Sequence, residues 1–131
     1  MIAIIFEVTP KSDKTADYLE LAAEMRPMIE EVEGFISVER FQSLTNPEKL
    51  LSISFFEDEA AVDRWRKLAA HRKVQSKGRR EIFDDYSIKV LQVLRNYGMT
   101  DREEAPKDSL KVHVLGCTMK GVLKCHRLNG T

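Results

Sequence analysis

The residues of this 131-residue chain best equipped for chemistry lie in one tract, positions 58–86. It carries the sole tryptophan, Trp65, followed six positions later by His71, then Arg72 and Gln75. An unperturbed histidine exchanges protons near neutrality. A tryptophan presents a flat face for stacking and one indole N–H for an oxygen atom. Arg72 stands two helical turns after Trp65, near the same stripe, where a guanidinium could neutralise an anion. Tyr86, at the start of a final strand, could line a pocket mouth. Glu7 ends an apolar run and needs a partner if its face is buried, with Arg40 on the neighbouring strand as a candidate. Each also has a plain structural reading: Trp65 and Tyr86 as core packing, His71 as a hydrogen-bonded helix residue, Arg72 as a solvated cation, Glu7 as an interface ion pair.

Several other chemistries lack their residues. Ser52 and Ser54 have no histidine and acid at interpretable spacing, so a hydrolase triad is not indicated. The glycines form neither a phosphate loop nor a dinucleotide fingerprint, so no nucleotide cofactor is implied. Cys117, Cys125, His113 and His126 sit near the C-terminus without a C-x-x-C pair, and no metal site is expected. The 21 basic and 21 acidic residues cancel, so nothing in the bulk charge attracts nucleic acid or an anionic membrane. Residues Met1 to Val8 are too short for a secretory core and lack a basic leader, and no stretch is long enough to span a bilayer. A cytoplasmic location is the expectation.

The elements that must position these groups are set by periodicity. Ile2 to Val8 reads as a strand stopped at Thr9-Pro10, with Ser12 or Asp13 available to cap the next element. Between Ser12 and Val32, Tyr18, Leu21, Ala22, Met25, Ile29 and Val32 recur at three- and four-residue spacing, predicting an amphipathic helix kinked at Pro27 and closed by Gly34. Phe35 to Gln42 and Lys49 to Phe56 should pair as a hairpin across Leu44-Thr45-Asn46-Pro47. A second helix should run from Asp58 to about Ser76, with Val62, Trp65, Leu68 and Ala69 inward, until Gly78 interrupts it. Tyr86 to Leu94 gives the last strand. The order β-α-β-β-α-β is the ferredoxin-like α+β arrangement with an antiparallel sheet.

This domain covers 1–97. Residues 98–131 form a C-terminal extension, polar up to Ser109 and then apolar in alternation at Leu110, Val112, Val114 and Leu115. It is expected to pack on the sheet edge or on a partner subunit, as an extra strand. In a monomer of this fold the sheet face opposite the helices should be polar. Here Ala3 and Ile5 lie opposite Ile2, Ile4, Phe6 and Val8, and Leu91 and Val93 lie opposite Ile88, Val90 and Leu94. An uncovered apolar face of several hundred Å² exceeds what soluble monomers usually carry, which predicts a homodimer packed sheet against sheet.

The first strand Ile-Ala-Ile-Ile-Phe-Glu-Val, the run Glu33-Gly34-Phe35-Ile36-Ser37-Val38-Glu39-Arg40, the segment Ser52-Ile-Ser-Phe-Phe, and Trp65-Arg66 followed by His71-Arg72 together resemble the antibiotic biosynthesis monooxygenase family. That family belongs to the dimeric α+β barrel superfamily, and the likeness covers about residues 1–97. It implies a small oxygenase, often without cofactor, acting with dioxygen on a small aromatic, phenolic or quinol-type substrate. It also implies a pocket between sheet and helices near Trp65 and His71. On this resemblance His71 and Trp65 are the candidate catalytic residues, and Glu7, Arg72 and Tyr86 the candidate substrate contacts. Such chemistry needs a group to take the phenolic proton, a dry pocket, and donors for the developing charge. The haem-degrading branch uses an asparagine on the first strand and a histidine about ten residues after the tryptophan. Glu7 and Gln75 stand there instead, so haem is a less expected substrate. A non-catalytic small-molecule-binding dimer, and an isomerase or decarboxylase on the same fold, are the alternatives.

Overall fold

The computed structural model describes residues 1–108. The strand expected around Leu110–Leu115, and the cysteines and histidines beyond it, lie outside the described residues. Strand β1 spans Ile2–Pro10, helix α1 Thr15–Glu30, β2 Phe35–Gln42, β3 Leu50–Phe56, α2 Glu59–Lys67 and α3 Ala69–Lys77. A single π-helical turn, Gly78–Ile82, then leads into β4, Phe83–Gln92. All strand pairs are antiparallel and their order across the sheet is β2-β3-β1-β4, which is the ferredoxin-like α+β fold. No helix among the described residues is long and apolar enough to cross a membrane.

The details depart from the periodicity at the junctions. Helix α1 begins at Thr15 with Lys14 as its N-cap and no side-chain cap bond. Asp13, one residue earlier, adopts a left-handed φ of 67° in place of the extended backbone of a capping residue. The helix ends at Glu30, two residues short of Val32, with Pro27 inside its last turns. Gly34 is therefore not the helix cap. It sits at φ 91° in the turn before β2, where an added Cβ would meet Ala61 Cβ at 2.6 Å. The second helix is two helices, since Leu68 leaves helical geometry at φ −62°, ψ 130°. Asp58 does cap its first half, accepting a hydrogen bond from Ala61 N at 2.9 Å. Gly78 does not stop the chain from coiling, and β4 starts at Phe83, three residues before Tyr86.

Two apolar clusters pin the helices to one sheet face, at opposite ends of it. Val8, Tyr18, Leu21 and Ile82 form one, joined by Phe6, Leu50, Val74 and Phe83. Ile29, Phe56, Ala61 and Trp65 form the other, joined by Ile4, Phe35 and Val38 among others. Phe56 and Val8, almost inaccessible to solvent, anchor the two ends. The chain divides after Val93, so that Met1–Val93 is one compact unit and the described residues 94–108 belong to another. Within the second, Gly98 N donates to Asp101 O at 2.8 Å, and the Arg102 guanidinium donates to Gly98 O while lying 5.4 Å from the Tyr97 ring.

Candidate functional site

Between the two clusters the middle of the sheet is hollow. Residues paired directly across an antiparallel ladder point to the same face, so Ile4 and Phe6 of β1 share the helix side with Ser54 and Ser52 of β3 and with Val90 and Ile88 of β4. Strand β3 thus presents Leu50, Ser52, Ser54 and Phe56 to the helices. Large side chains stand at its two ends, where the clusters are, and serines stand between. The result is a cavity of about 250 Å³, floored by the sheet and roofed by α1, α2, α3 and the π-helical turn. Its walls are mostly apolar, including Met25, Ile29, Val62 and Val74, and one end is aromatic. Phe6, Phe83 and Tyr86 meet there with ring centroids 5.6–5.8 Å apart.

Trp65 and His71 face each other across the break at Leu68. Six residues on an unbroken helix turn through about 600°, which would leave the two side chains roughly 120° apart around the axis. The extended backbone of Leu68 redirects α3, and the two rings come to 4.4 Å between centroids at an interplanar angle of 56°. Both line the cavity, and both are buried, at 7% and 8% exposure. His71 Nδ1 has no hydrogen-bond partner, and burial pulls the imidazole pKa down to about 4 from its usual 6.5. The sequence-based expectation of a histidine exchanging protons near neutrality is thereby changed: the ring is neutral across the physiological range.

The other candidates separate. Tyr86 and Gln75 line the cavity. Arg72 is exposed and outside it. Glu7 points to the opposite face of the sheet, where its partners are Lys49 at 2.9 Å and Lys89 at 3.8 Å, not Arg40. Hydrogen bonding and charge from Lys49, then charge from Lys89, hold the Glu7 carboxyl below its usual pKa.

Arg40 instead faces the cavity, whose lining also includes the solvent-exposed Arg26, Arg66 and Arg79 and contains no aspartate or glutamate. A β-bulge explains Arg40. The β2–β3 register slips between Phe35 and Ser37, so Phe35 opposes Phe56, while Val38 opposes Ser54 and Arg40 opposes Ser52. Simple alternation from Phe35 would have put Phe41 inward and Arg40 outward. The one legible hint was Phe35-Ile36, two adjacent apolar residues at the strand start, and Ile36 is the residue left exposed. The hollow itself was legible as Ser52 and Ser54 alternating between Leu50 and Phe56, a pattern that matters only once those positions are known to face the helices.

Comparison with known proteins agrees with this geometry. The chain is 41% identical over 93 residues to the jasmonate monooxygenase ABM of Pyricularia oryzae, a match covering 71% of this chain and 43% of that protein, so the chain spans less than half the length of that relative. It is 27% identical over 93 residues to the uncharacterized protein YqjZ of Bacillus subtilis, covering 71% and 79% of the two chains. Among solved structures, Rv0793 of Mycobacterium tuberculosis superposes with a TM-score of 0.67 at 17% identity, covering 74% of this chain and 98% of the other. A Deinococcus radiodurans protein assigned to the antibiotic biosynthesis monooxygenases gives 0.66 at 11% identity, with 75% and 97% covered. These two show the shared fold. Residues 1–77 match the antibiotic biosynthesis monooxygenase family itself, and the chain belongs to that family.

Proposed function

We propose that this chain is a monooxygenase that uses molecular oxygen, without a cofactor, on a small aromatic, phenolic or quinol-type substrate, and that it works as a homodimer. The observation that carries the reading is the pairing of buried Trp65 and His71 on the wall of an apolar cavity with a cationic lining. Family membership and the 41%-identical monooxygenase support it. A volume of about 250 Å³ lies below the roughly 300–1,000 Å³ typical of sites for drug-sized ligands, which suits a substrate of one or two rings. Haem has less support, since Glu7 is on the far side of the sheet and Gln75 stands where that branch has its histidine.

For a phenol with a hydrogen-bearing ring carbon, one oxygen atom enters the ring to give a quinone, and the other leaves as water with the two displaced hydrogens. The substrate supplies all four electrons, two to the inserted oxygen and two to the oxygen that leaves as water. An imidazole with a pKa of about 4 cannot by itself hold a proton from a phenol of pKa near 10, because six units correspond to about 8 kcal/mol uphill. Ionisation is instead favoured by the positive charge of Arg40 and Arg79 on the lining, the proton passing to water, and neutral His71 orients the oxygen by a hydrogen bond. Trp65 stacks on the ring and shields it from water.

The dimer rests on the opposite sheet face, where Ile5, Leu51, Ile53, Phe55, Phe41 and Leu91 share one side by register. Phe41 and Leu91 are 46% and 41% exposed, an apolar patch that a second sheet would cover. Light scattering at micromolar concentration should return twice the chain mass, and a monomer would remove this part of the reading.

The experiment is oxygen uptake by chelator-treated protein against a panel of quinols and phenols. Uptake with one class, equimolar quinone formation, and loss in His71→Ala but not in the exposed Lys73→Ala would support the oxygenase. Quenching of Trp65 without uptake would favour the binding protein, and turnover without oxygen would favour the isomerase or decarboxylase.

A further inference from the structure

We propose that the cavity selects an anionic substrate, an apolar ring body bearing a carboxylate, and that Arg40 at the cavity floor is its anchor. This deepens the reading of the cavity as the substrate site and rests on it. Four arginines line the cavity with no acidic residue among them. Two are already neutralised, Arg26 by Glu30 at 2.9 Å and Arg66 by Asp63 at 3.2 Å. Arg40 and Arg79 have no carboxylate partner among the described residues.

Arg40 is the more telling of the two. Its Nε is buried and has no acceptor, although buried donors in folded proteins are almost always paired and an unpaired donor on a cation is the costliest kind. The chain also goes out of its way to place it. The bulge at Ile36 leaves Ile36 and Phe41 in solvent, and it sets a guanidinium opposite Ser52 where unbroken alternation would have set the carboxylate of Glu39. The cavity floor is cationic and not acidic for that reason, and its unpaired guanidinium makes sense if an acceptor arrives with the substrate. The planar fork of a guanidinium matches a carboxylate in two parallel hydrogen bonds, and Ser52, directly opposite Arg40 on β3, offers a hydroxyl beside it. Apart from the remaining arginines and a few neutral polar groups the walls are apolar and aromatic, which suits an uncharged ring body.

Because Trp65 is the sole tryptophan and lines the cavity, its fluorescence reports occupancy directly. The test titrates the whole protein with 3-phenylpropionate and with its methyl ester. The acid should bind about tenfold or more tightly than the ester. Arg40→Met should lose that margin while leaving ester binding unchanged, and Arg40→Lys should restore only part of it, because an ammonium lacks the fork. Equal binding of acid and ester by the native protein would overturn the proposal without recourse to any variant. Equal weakening of both ligands in a folded Arg40→Met would do the same. Acid-selective binding with no oxygen uptake would keep this inference and remove the oxygenase. Uptake with neutral phenols and no preference for acids would do the reverse.

Discussion

If the serines of β3 hollow out the site, then filling the hollow should strengthen the fold and weaken binding together, and Ser54→Val is the variant that tests it. Ser54 is 8% exposed, faces the helices beside Ile4 and Val38, and lines the cavity. Valine replaces its hydroxyl with a methyl group and adds a second one. At about 0.8 kcal/mol per buried carbon the gross gain is about 1.6 kcal/mol. Ordering a branched side chain offsets about 0.5 kcal/mol of that, leaving roughly 1 kcal/mol. For a unit of this size that corresponds to a Tm higher by about 4–8 °C. Thermal unfolding followed by circular dichroism gives the first readout, and Trp65 quenching by 3-phenylpropionate gives the second. Binding should weaken by tenfold or more, because the new methyl groups occupy the volume the ligand needs. A drop in Tm would mean that position 54 is already close-packed, and an unchanged affinity would mean that the ligand sits elsewhere. Either result refutes a binding cavity hollowed out by the serines of β3.

Two further perturbations have calculable signs. His71 binds a proton less readily folded than unfolded, with a pKa of about 4 against 6.5. Its contribution to stability is therefore fully present above pH 6.5 and is lost as pH falls from 6.5 to 4. Between pH 7.5 and pH 5 the loss is about 2 kcal/mol, and urea unfolding at the two pH values should show it in the native protein but not in His71→Gln; an equal slope in both would place the effect on other groups. Gly34→Ala should destabilise by about 2–4 kcal/mol through its φ of 91° and the collision with Ala61, measured by the same unfolding, and Ala61→Gly in the same chain should recover the collision component only.

Sequence reasoning reached the element order because each strand and helix carries a clean period, and the candidates Trp65, His71 and Tyr86 come to line one cavity because they stand on those elements. It failed where one residue breaks a period. Helix α2 and helix α3 read as one, since nothing in the composition of Lys67-Leu68-Ala69 marks a breaker. Arg72 then looked inward, although the redirected α3 carries it to solvent. Arg40 is a candidate partner for Glu7 only if their strands are neighbours, whereas β3 lies between them and the bulge turns Arg40 to the opposite face of the sheet. The lowered pKa of His71 was also out of reach, because desolvation depends on what covers the ring and not on its neighbours in the chain.

The bulge at Ile36 makes the character of the cavity floor a matter of counting. Because side chains on a strand alternate strictly, every residue from Ser37 to Gln42 owes its side of the sheet to whether the number of residues before it is odd or even. Pairing the same residues without the slip would turn the rest of the strand over, sending Arg40 to the outer face and Ser37, Glu39 and Phe41 to the helix side. Loss of Ile36 itself would instead remove the bulge and leave Arg40 opposite Ser52, so a relative one residue shorter there would keep the same floor on an unbroken ladder. In this family member, the slip of a single residue decides whether an arginine or a glutamate stands opposite Ser52 on the floor of the site.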